Sequence, residues 1–479
     1  MIHSCYLLNL LGTARTCLAF ILFGALIQAS FAEDRPNILL IVIDDLNDYV
    51  GCLGGHPNAY TPHIDALAEE GILFTNAHCN SPVCNPSRAS IWTGLRPTTT
   101  GITTNHSGWF RDHPDFRDLI TLPKALGNSG YTTIGLGKLF HLGHGNQTWP
   151  DWQQHRRYGY GPRLNTHMSY REGDGLSDWG TPPAGKGIRR GPQPSRVDMA
   201  SFDEDIARRV SEVLEDDHDR PFFLAAGFYR PHTPLYAPKR WFDHFPLDKV
   251  DLPAVKMGDN DDLPYFGSKP RREVDIEAPG LWQHDWVIEN EQWHRIVRAY
   301  LASTSYVDEQ VGKVVQAWKK SPHFEKTYLV LCSDHGWHLG EKEHWGKAAL
   351  LEQTTRIPLI IAGPGINGGQ TCKKPVELLS LYPTFLDWTR VEPPHALEGS
   401  SLLPLVDDPQ SDSPHVALTT FSEHHALRTE RYRYIRYVDG SEELYDHDSD
   451  PNEWVNLALD NHPELSNLRP LLDKILTQP

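Results

Sequence analysis

Five apolar runs along the chain lack the polar alternation of a half-exposed strand. They are Asn37–Ile43, Tyr131–Leu136, Pro221–Ala226, Tyr328–Cys332 and Ile357–Ala362, each followed by Gly, Asp or Ser. Uninterrupted Ile/Leu/Val of this length predicts strands covered on both faces. Helical patterns lie between them. Pro62–Glu70 has Thr61 as N-cap, Pro62 at N1, Ile64, Leu67 and Ala68 on one face and Gly71 as the stop. Trp293–Lys319 repeats apolar residues at helical spacing. Strands alternating with helices predict an α/β fold, a large mostly parallel sheet flanked by helices. The pattern changes near residue 412. Ala426–Tyr437 alternates polar and bulky residues, Asp439-Gly440 is a hairpin signal, and Glu464–Leu476 is helical. This predicts a small C-terminal α+β subdomain with an antiparallel sheet. Residues 141–200, rich in Gly, Pro, Trp and Arg, show no period and read as a long functional loop.

The first 32 residues are of another kind. Arg15 is their only charge, an apolar run covers Cys17–Ile27, and Ala29-Ser-Phe-Ala32 places small residues before a cut. This predicts a signal peptide removed near Ala32 and an exported protein, periplasmic or secreted, with no stable membrane span. The expected units are therefore 1–32 (leader), 33–412 (catalytic domain) and 413–479 (C-terminal subdomain).

The 479 residues carry a formal charge of −17, with 39% hydrophobic and 22% charged residues. That excludes a disordered chain and argues against a nucleic-acid partner. Of 7 cysteines, Cys5 and Cys17 leave with the leader, so an odd set remains: Cys52, Cys79, Cys84, Cys332 and Cys372. At least one thiol then needs a role of its own. Cys332 ends a strand and reads as core, whereas pairing among Cys52, Cys79 and Cys372 is left open by their spacing.

Ligands of parallel sheets bind past the carboxyl ends of strands. Those positions hold Asp44-Asp45, Gly137-Lys138-Leu-Phe-His141, Tyr229-Arg-Pro-His232 and Ser333-Asp334-His335-Gly336. Each alone is an ordinary loop; four together predict a shared site. Cys84-Asn85-Pro86-Ser87-Arg88 adds a thiol at a helix start, with Asn85 as N-cap, Pro86 at N1 and Gly94 as stop. Free N–H groups there favour an anion and would activate a thiol. A buried structural cysteine is the competing reading. The spacing to Arg88 is too short for a tyrosine-phosphatase loop, and the papain signature is absent.

Cys84-x-Pro-Ser-Arg88, followed by Thr93-Gly-Leu-Arg-Pro97, resembles the signature of type I sulfatases of the alkaline-phosphatase-like superfamily. The resemblance extends through Arg35–Asp45, Thr61–Ala68, Gly137-Lys138, Ser333–Gly336 and Asp450-Pro-Asn-Glu-Trp454. Gly137–His141, Ser333–Gly340 and Trp345-Gly-Lys347 are most similar to the iduronate-2-sulfatase branch. The resemblance implies that a formylglycine-generating or anaerobic sulfatase-maturating enzyme converts Cys84 to formylglycine (3-oxoalanine), whose hydrate is the nucleophile. It implies Ca²⁺ bound by Asp44, Asp45, Asp334, His335 and residue 84. Arg88 would hold the nucleophile, Lys138 and Lys347 the sulfate oxygens. His141 and His232 would flank the bridging oxygen and the diol, as acid or base. One hydroxyl would attack sulfur in line; the second would allow sulfate to leave.

Trp337 lines the substrate pocket on this reading, or simply packs. His338 and His344, with Glu341 and Glu343, match no zinc motif and read as loop residues. Asn105-His-Ser107 and Asn146-Gln-Thr148 are sequons that matter only in a eukaryotic secretory host. Lys186, Arg189, Arg190, Arg196, Arg271 and Arg272 form either a basic rim for a polyanion or a solvated surface, and Arg156-Arg157 is placed to stack on sugars. The implied substrate is a sulfated sugar or other sulfate ester. Three rivals remain: a phosphonate monoester or phosphodiester hydrolase, a metal-dependent phosphomutase or phosphatase (which lacks the Cys-x-Pro-Ser-Arg motif), and a non-catalytic sulfated-glycan-binding protein.

Overall fold

The computed structural model describes residues 35–141, 152, 154–156, 201–233, 235, 237–268, 284–289, 291–412 and 416–477. The expected leader, the basic positions Lys186, Arg189, Arg190, Arg196, Arg271 and Arg272, Arg157 and the sequon at Asn146 lie outside them.

The first apolar run is β1 (Asn37–Ile43), and it sits in the interior of the main sheet. The other strands of that sheet are β2 (Ile72–His78), β3 (Thr132–Gly137), β4 (Gln154–Arg156), β5 (Phe222–Phe228) and β6 (Thr327–Ser333). Short β7 (His338–Leu339) and β8 (Trp345–Gly346) form a separate hairpin. β9 (Arg356–Ala362), β10 (Gln370–Cys372) and β11 (Val376–Glu377) complete the sheet. The order is β10-β2-β9-β6-β1-β5-β3-β4, with β11 also on β2. β9 alone runs against its neighbours, β2 and β6. Its carboxyl end therefore points away from the end where the other exits gather.

β1 shows why its run is continuous. Leu39, Ile41 and Ile43 enter one buried cluster, and Ile38, Leu40 and Val42 enter another. Alternate side chains face opposite sides, and both sides are covered. Helix α1 (Pro62–Glu70) joins the first face. The opposite face receives α2 (Cys84–Thr93) and α3 (Leu122–Asn128). The first face also takes α4 (Ser201–Glu215) and the C-terminal half of α5 (Trp293–Lys320), and the second takes α6 (Leu381–Thr389).

Two expected caps differ. Thr61 makes no side-chain cap to α1; its hydroxyl donates to Asp65 (3.1 Å) and accepts from Gly51 N (2.8 Å), while Asp308 takes the N–H groups of His63 and Ile64. Gly71 ends α1 in extended backbone. It is needed for space: a Cβ there would lie 2.5 Å from the Ile361 carbonyl oxygen.

The chain after residue 412 builds β12 (Ala417–Phe421), β13 (His424–Arg428), β14 (Tyr432–Arg436) and β15 (Glu442–Asp446) into an antiparallel sheet. The alternating stretch Ala426–Tyr437 divides into the end of β13, a turn and β14. One face packs α7 (Leu465–Thr477) through Leu465, Leu468 and Leu472. The other meets Val83, Ala348, Leu350 and Leu351, which flank Cys84 and follow Lys347.

Candidate active site

Helix α2 is buried along its whole length, so its start is held by packing from all sides. It begins at Cys84, two residues earlier than the Asn85 cap predicts. Val83 is the extended N-cap, and Gly94 closes the helix at φ 68. Asn85 serves elsewhere: its Nδ2 donates to Gly108 O (2.9 Å), and its backbone N donates to Asn105 Oδ1 (2.9 Å). Asn105 is thereby a support of the nucleophile helix that sequence reasoning registered only as a sequon; its side chain is 7% exposed.

One and two turns into α2, Arg88 and Trp92 hold the loop that carries Lys138. Arg88 Nη1 donates to Lys138 O, and Trp92 Nε1 donates to Leu139 O (2.6 Å). Arg88 Nε and Nη2 also bind Asp334 Oδ2 (2.8 Å) and Asp44 Oδ1 (3.1 Å). Lys138 N donates to Gly227 O (2.8 Å), so β3 and β5 leave the sheet in close contact.

Three groups converge on Cys84 Sγ, which stands where the oxygens of a hydrated formylglycine would project. Lys347 Nζ lies at 3.0 Å, His335 Nε2 at 3.2 Å and Lys138 Nζ at 3.5 Å. Lys138 also pairs with Asp44, and Lys347 with Asp45 (3.0 Å). The His335 Nδ1 donates to Gly336 O (3.0 Å), and a carbonyl can only accept. Nε2 therefore keeps a lone pair, 3.4 Å from Asp45 Oδ1 and 3.6 Å from Asp334 Oδ2. His232 is arranged likewise, with Nδ1 on Thr233 O (2.6 Å) and Nε2 3.9 Å from Asp45 Oδ2.

Further polar groups missed by sequence reading fix these loops. Ser333 Oγ bridges Ile43 O (2.9 Å), His335 O (2.8 Å) and Leu46 N (3.0 Å). Tyr300 OH donates to Asp45 O (2.6 Å). Asp203 accepts from Tyr229 N (2.8 Å) and Arg230 N (3.0 Å), ahead of His232. Tyr300 and Asp203 lie in helices outside the motifs, so no spacing marks them, and Ser333, though it opens the Ser333–Gly336 motif, shows no sign in sequence of its bonds to Ile43 and Leu46.

The electrostatics fit a divalent cation. Burial pushes the Asp45 carboxyl up to about 7, with Lys347 opposing and Asp44 and Asp334 adding repulsion. Burial pushes Asp334 up to about 6 against the pull of Arg88. Burial acts to raise Asp44 too, but Lys138, His232, Arg88 and Lys347 together hold it well below the carboxylate range. Asp45 Oδ2 is buried with no hydrogen-bond partner. Ligand atoms of Asp44, Cys84, Asp334 and His335 lie within 4.8 Å of one another, as do those of Asp44, Asp45, Cys84 and His232. Hard carboxylate oxygens in that number suit Ca²⁺.

Burial also pushes the Cys84 thiol up to about 12, although Lys138 and Lys347 pull it down. The helix start thus does not activate a thiolate as expected from sequence; burial outweighs it. Burial, then Lys138 and Lys347, hold His232 well below the imidazole range, so it is neutral.

The structure therefore gathers Asp44, Asp45, Cys84, Arg88, Lys138, His232, Asp334, His335 and Lys347. His141 is buried on the segment that follows Lys138. Trp337 is 3% exposed and packs with Tyr49, Tyr300 and Leu339; Lys347 Nζ stands 5.7 Å from its ring centre. His344 Nε2 lies 3.0 Å from Lys347 O, and His338 pairs with Thr354. All five described cysteines are free thiols, so Cys52, Cys79 and Cys372 form no disulfide.

A buried cysteine lined by cations beside clustered carboxylates lies at the carboxyl end of a mostly parallel sheet, in the alkaline-phosphatase-like fold. The sulfatase profile matches residues 36–391, and the profile of the N-sulphoglucosamine sulphohydrolase C-terminal region matches 340–478. The chain belongs to the sulfatase family and is a sulfuric ester hydrolase. A sulfatase of Formosa agariphila is 38% identical over 447 residues, 90% of this chain and 84% of that one. Mouse iduronate 2-sulfatase is 31% identical over 74% of this chain and 69% of its own. Among solved structures, a 2-O GAG sulfatase superposes with TM-score 0.70 at 23% identity, covering 92% of each chain. Phosphonate monoester hydrolase of Agrobacterium radiobacter superposes with TM-score 0.71 at 21% identity, covering 92% of this chain and 95% of that one.

Proposed function

We propose that this sulfatase releases inorganic sulfate from a sulfated carbohydrate, in the manner of an iduronate-2-sulfatase, with Cys84 matured to formylglycine and Ca²⁺ as the metal. The observation that carries this reading is the convergence of Lys347, His335 and Lys138 on Cys84 Sγ within 3.5 Å, beside the carboxylates of Asp44, Asp45 and Asp334. The named substrate class follows mouse iduronate 2-sulfatase, at 31% identity.

In this mechanism Asp44, Asp45, Asp334 and His335 would hold a calcium ion, which would supply positive charge against the sulfate and favour an ionised oxygen on residue 84. As a hydrated aldehyde, residue 84 would offer one hydroxyl to sulfur as the ester S–O bond breaks to the leaving alcohol, and a second whose deprotonation would expel sulfate and restore the aldehyde. Lys138 and Lys347 bind sulfate oxygens, where fixed cations in a dry site stabilise the charge that spreads in the transition state. Arg88 locks Asp44, Asp334 and the Lys138 loop in one frame. His232 presents a lone pair at Nε2 and takes or returns a proton there; His141 is the second imidazole for the leaving alcohol. Trp337 fixes the direction of Lys347 from within the core. A maturating enzyme acts on Cys84, and the leader at 1–32 exports the chain; 33–412 and 413–479 are the catalytic and C-terminal units.

A test separates this reading from phosphonate monoester hydrolysis, which the same fold supports in another protein. Matured enzyme is given sulfated disaccharides and matched phosphonate monoesters. The expected result is a kcat/KM for sulfate release at least about 100-fold higher, since a site built for one transition state discriminates by several kcal/mol. Faster phosphonate turnover contradicts the proposal, and saccharide binding without turnover indicates a binding protein.

A further inference from the structure

The Asp450-Pro-Asn-Glu-Trp454 segment contributes nothing to the site above, yet Glu453 is 1% exposed and sits at φ 58. Its carboxylate reaches the catalytic part of the chain. Oε2 accepts Glu352 N (3.0 Å), and Oε1 accepts Arg433 Nε (2.5 Å) and His447 Nε2 (3.0 Å). Arg433, on β14, is fully buried; it also pairs with Glu352 and donates to Leu350 O (3.1 Å). Ligand atoms of Glu352, His447 and Glu453 lie within 4.8 Å of one another. Arg433 already bridges the two carboxylates, so this is an ion-pair clamp and not a metal site.

What the clamp grips is the segment between two parts of the active site. Lys347 stands at its start, and the next residue, Ala348, donates to Pro82 O (3.1 Å), two residues before Cys84. At its end, Gln353 O and Thr354 O accept from Trp337 N (2.9 Å) and Gly336 N (2.7 Å), the backbone directly after His335. Leu350 and Glu352, held by Arg433 and Glu453, lie between.

We propose that Arg433, Glu352 and Glu453 are positioning residues through which the C-terminal sheet sets Lys347 and the His335 loop for sulfate binding. This rests on the reading of Lys347 as a sulfate-oxygen cation. A misplacement of a binding cation by a fraction of an ångström weakens anion binding without unfolding the domain.

The test uses full-length, matured, calcium-loaded enzyme, with inorganic sulfate as a competitive product inhibitor and circular dichroism to confirm folding. Glu453→Ala is expected to raise the sulfate Ki about tenfold or more, the effect typical of lost outer supports, and Glu453→Gln by less. Leu472→Ala truncates a buried residue on the opposite face of the same sheet. It should lower the melting temperature comparably and leave Ki unchanged. The proposal is overturned if folded Glu453 variants bind sulfate as wild type, or if Leu472→Ala weakens sulfate equally. Should Glu453→Ala not fold, Glu453→Gln decides. Lys347→Ala serves as the reference: an unchanged Ki there refutes the Lys347 assignment itself, and with it the clamp's purpose.

Discussion

Lys347 and His335 approach the same sulfur from opposite ends of one loop system, and each is held by a partner on its far side. Lys347 pairs with Asp45, and His335 gives its Nδ1 hydrogen to Gly336 O. Removing Lys347 takes away a cation that faces the reacting group and leaves the fold's apolar core intact. Lys347→Ala should therefore lower kcat/KM for sulfate release by about 10²–10³, the cost of losing one transition-state donor. A steady-state assay measures this, and a loss under about tenfold would show that Lys347 stands aside from the sulfate. Candidate site residues were legible in the sequence because they follow strand ends: Asp44, Lys138, His232 and Asp334 all lie there. The bonds that hold those segments were not. Tyr300, Asp203 and Asn105 stand apart from these motifs, and Ser333, which opens one of them, shows no sign in sequence of its bonds to Ile43 and Leu46.

At the scale of elements, helix α2 and strands β3 and β5 form one unit. Arg88 and Trp92 of α2 hold the carbonyls of Lys138 and Leu139, and β5 closes on the same loop at Gly227. A Cβ on Gly227 would fall 1.9 Å from Lys138 O, and one on Gly137 would fall 2.2 Å from Gly227 O. Neither glycine leaves room for a methyl group, and the atom in the way is backbone. Gly227→Ala is expected to cost about 1–3 kcal/mol by overpacking. It should also reduce sulfate release beyond what the fraction folded explains, because the Lys138 loop must move. Thermal melts with parallel activity assays check both; full activity in a folded variant would mean the loop tolerates the shift. Five strands of the main sheet were legible because both faces are buried and their runs are continuous; β2, broken by Thr75, Asn76 and His78, was not. The cap assignments failed for α1 and α2 because tertiary partners, Asp308 and Asn105, took over the N–H groups that a local cap would satisfy.

The whole molecule joins a large α/β body to an antiparallel sheet whose inner face packs beside Cys84 and Lys347. Among the described residues, no helix is long and apolar enough to cross a membrane. Its stability depends on pH through buried carboxyls away from the site. Burial pushes Asp308 from 3.8 up to about 7, although the Ile64 and His63 N–H groups pull it down. The folded protein thus holds that proton more tightly than the unfolded chain, and stability falls as pH rises from 3.8 through about 7. Asp308→Asn keeps an acceptor for Ile64 N and removes the titration. Its melting temperature should fall less across that window than the wild type's, measured by calorimetry; parallel curves would contradict the assignment. Global acidity, a charge of −17, is no guide to the substrate, since Lys138 and Lys347 gather locally at Cys84 and distant charges are screened beyond ~10 Å.

The central claim is that residue 84, once converted, is the group that receives sulfate. Its most direct test is mass spectrometry of the peptide containing residue 84, read beside sulfate release by the same preparation. Conversion of Cys to formylglycine removes about 18 Da. The account predicts that sulfate release rises in proportion to the fraction of peptide carrying that loss and is absent from unconverted protein. Full sulfate release by protein whose Cys84 is entirely unmodified would contradict it.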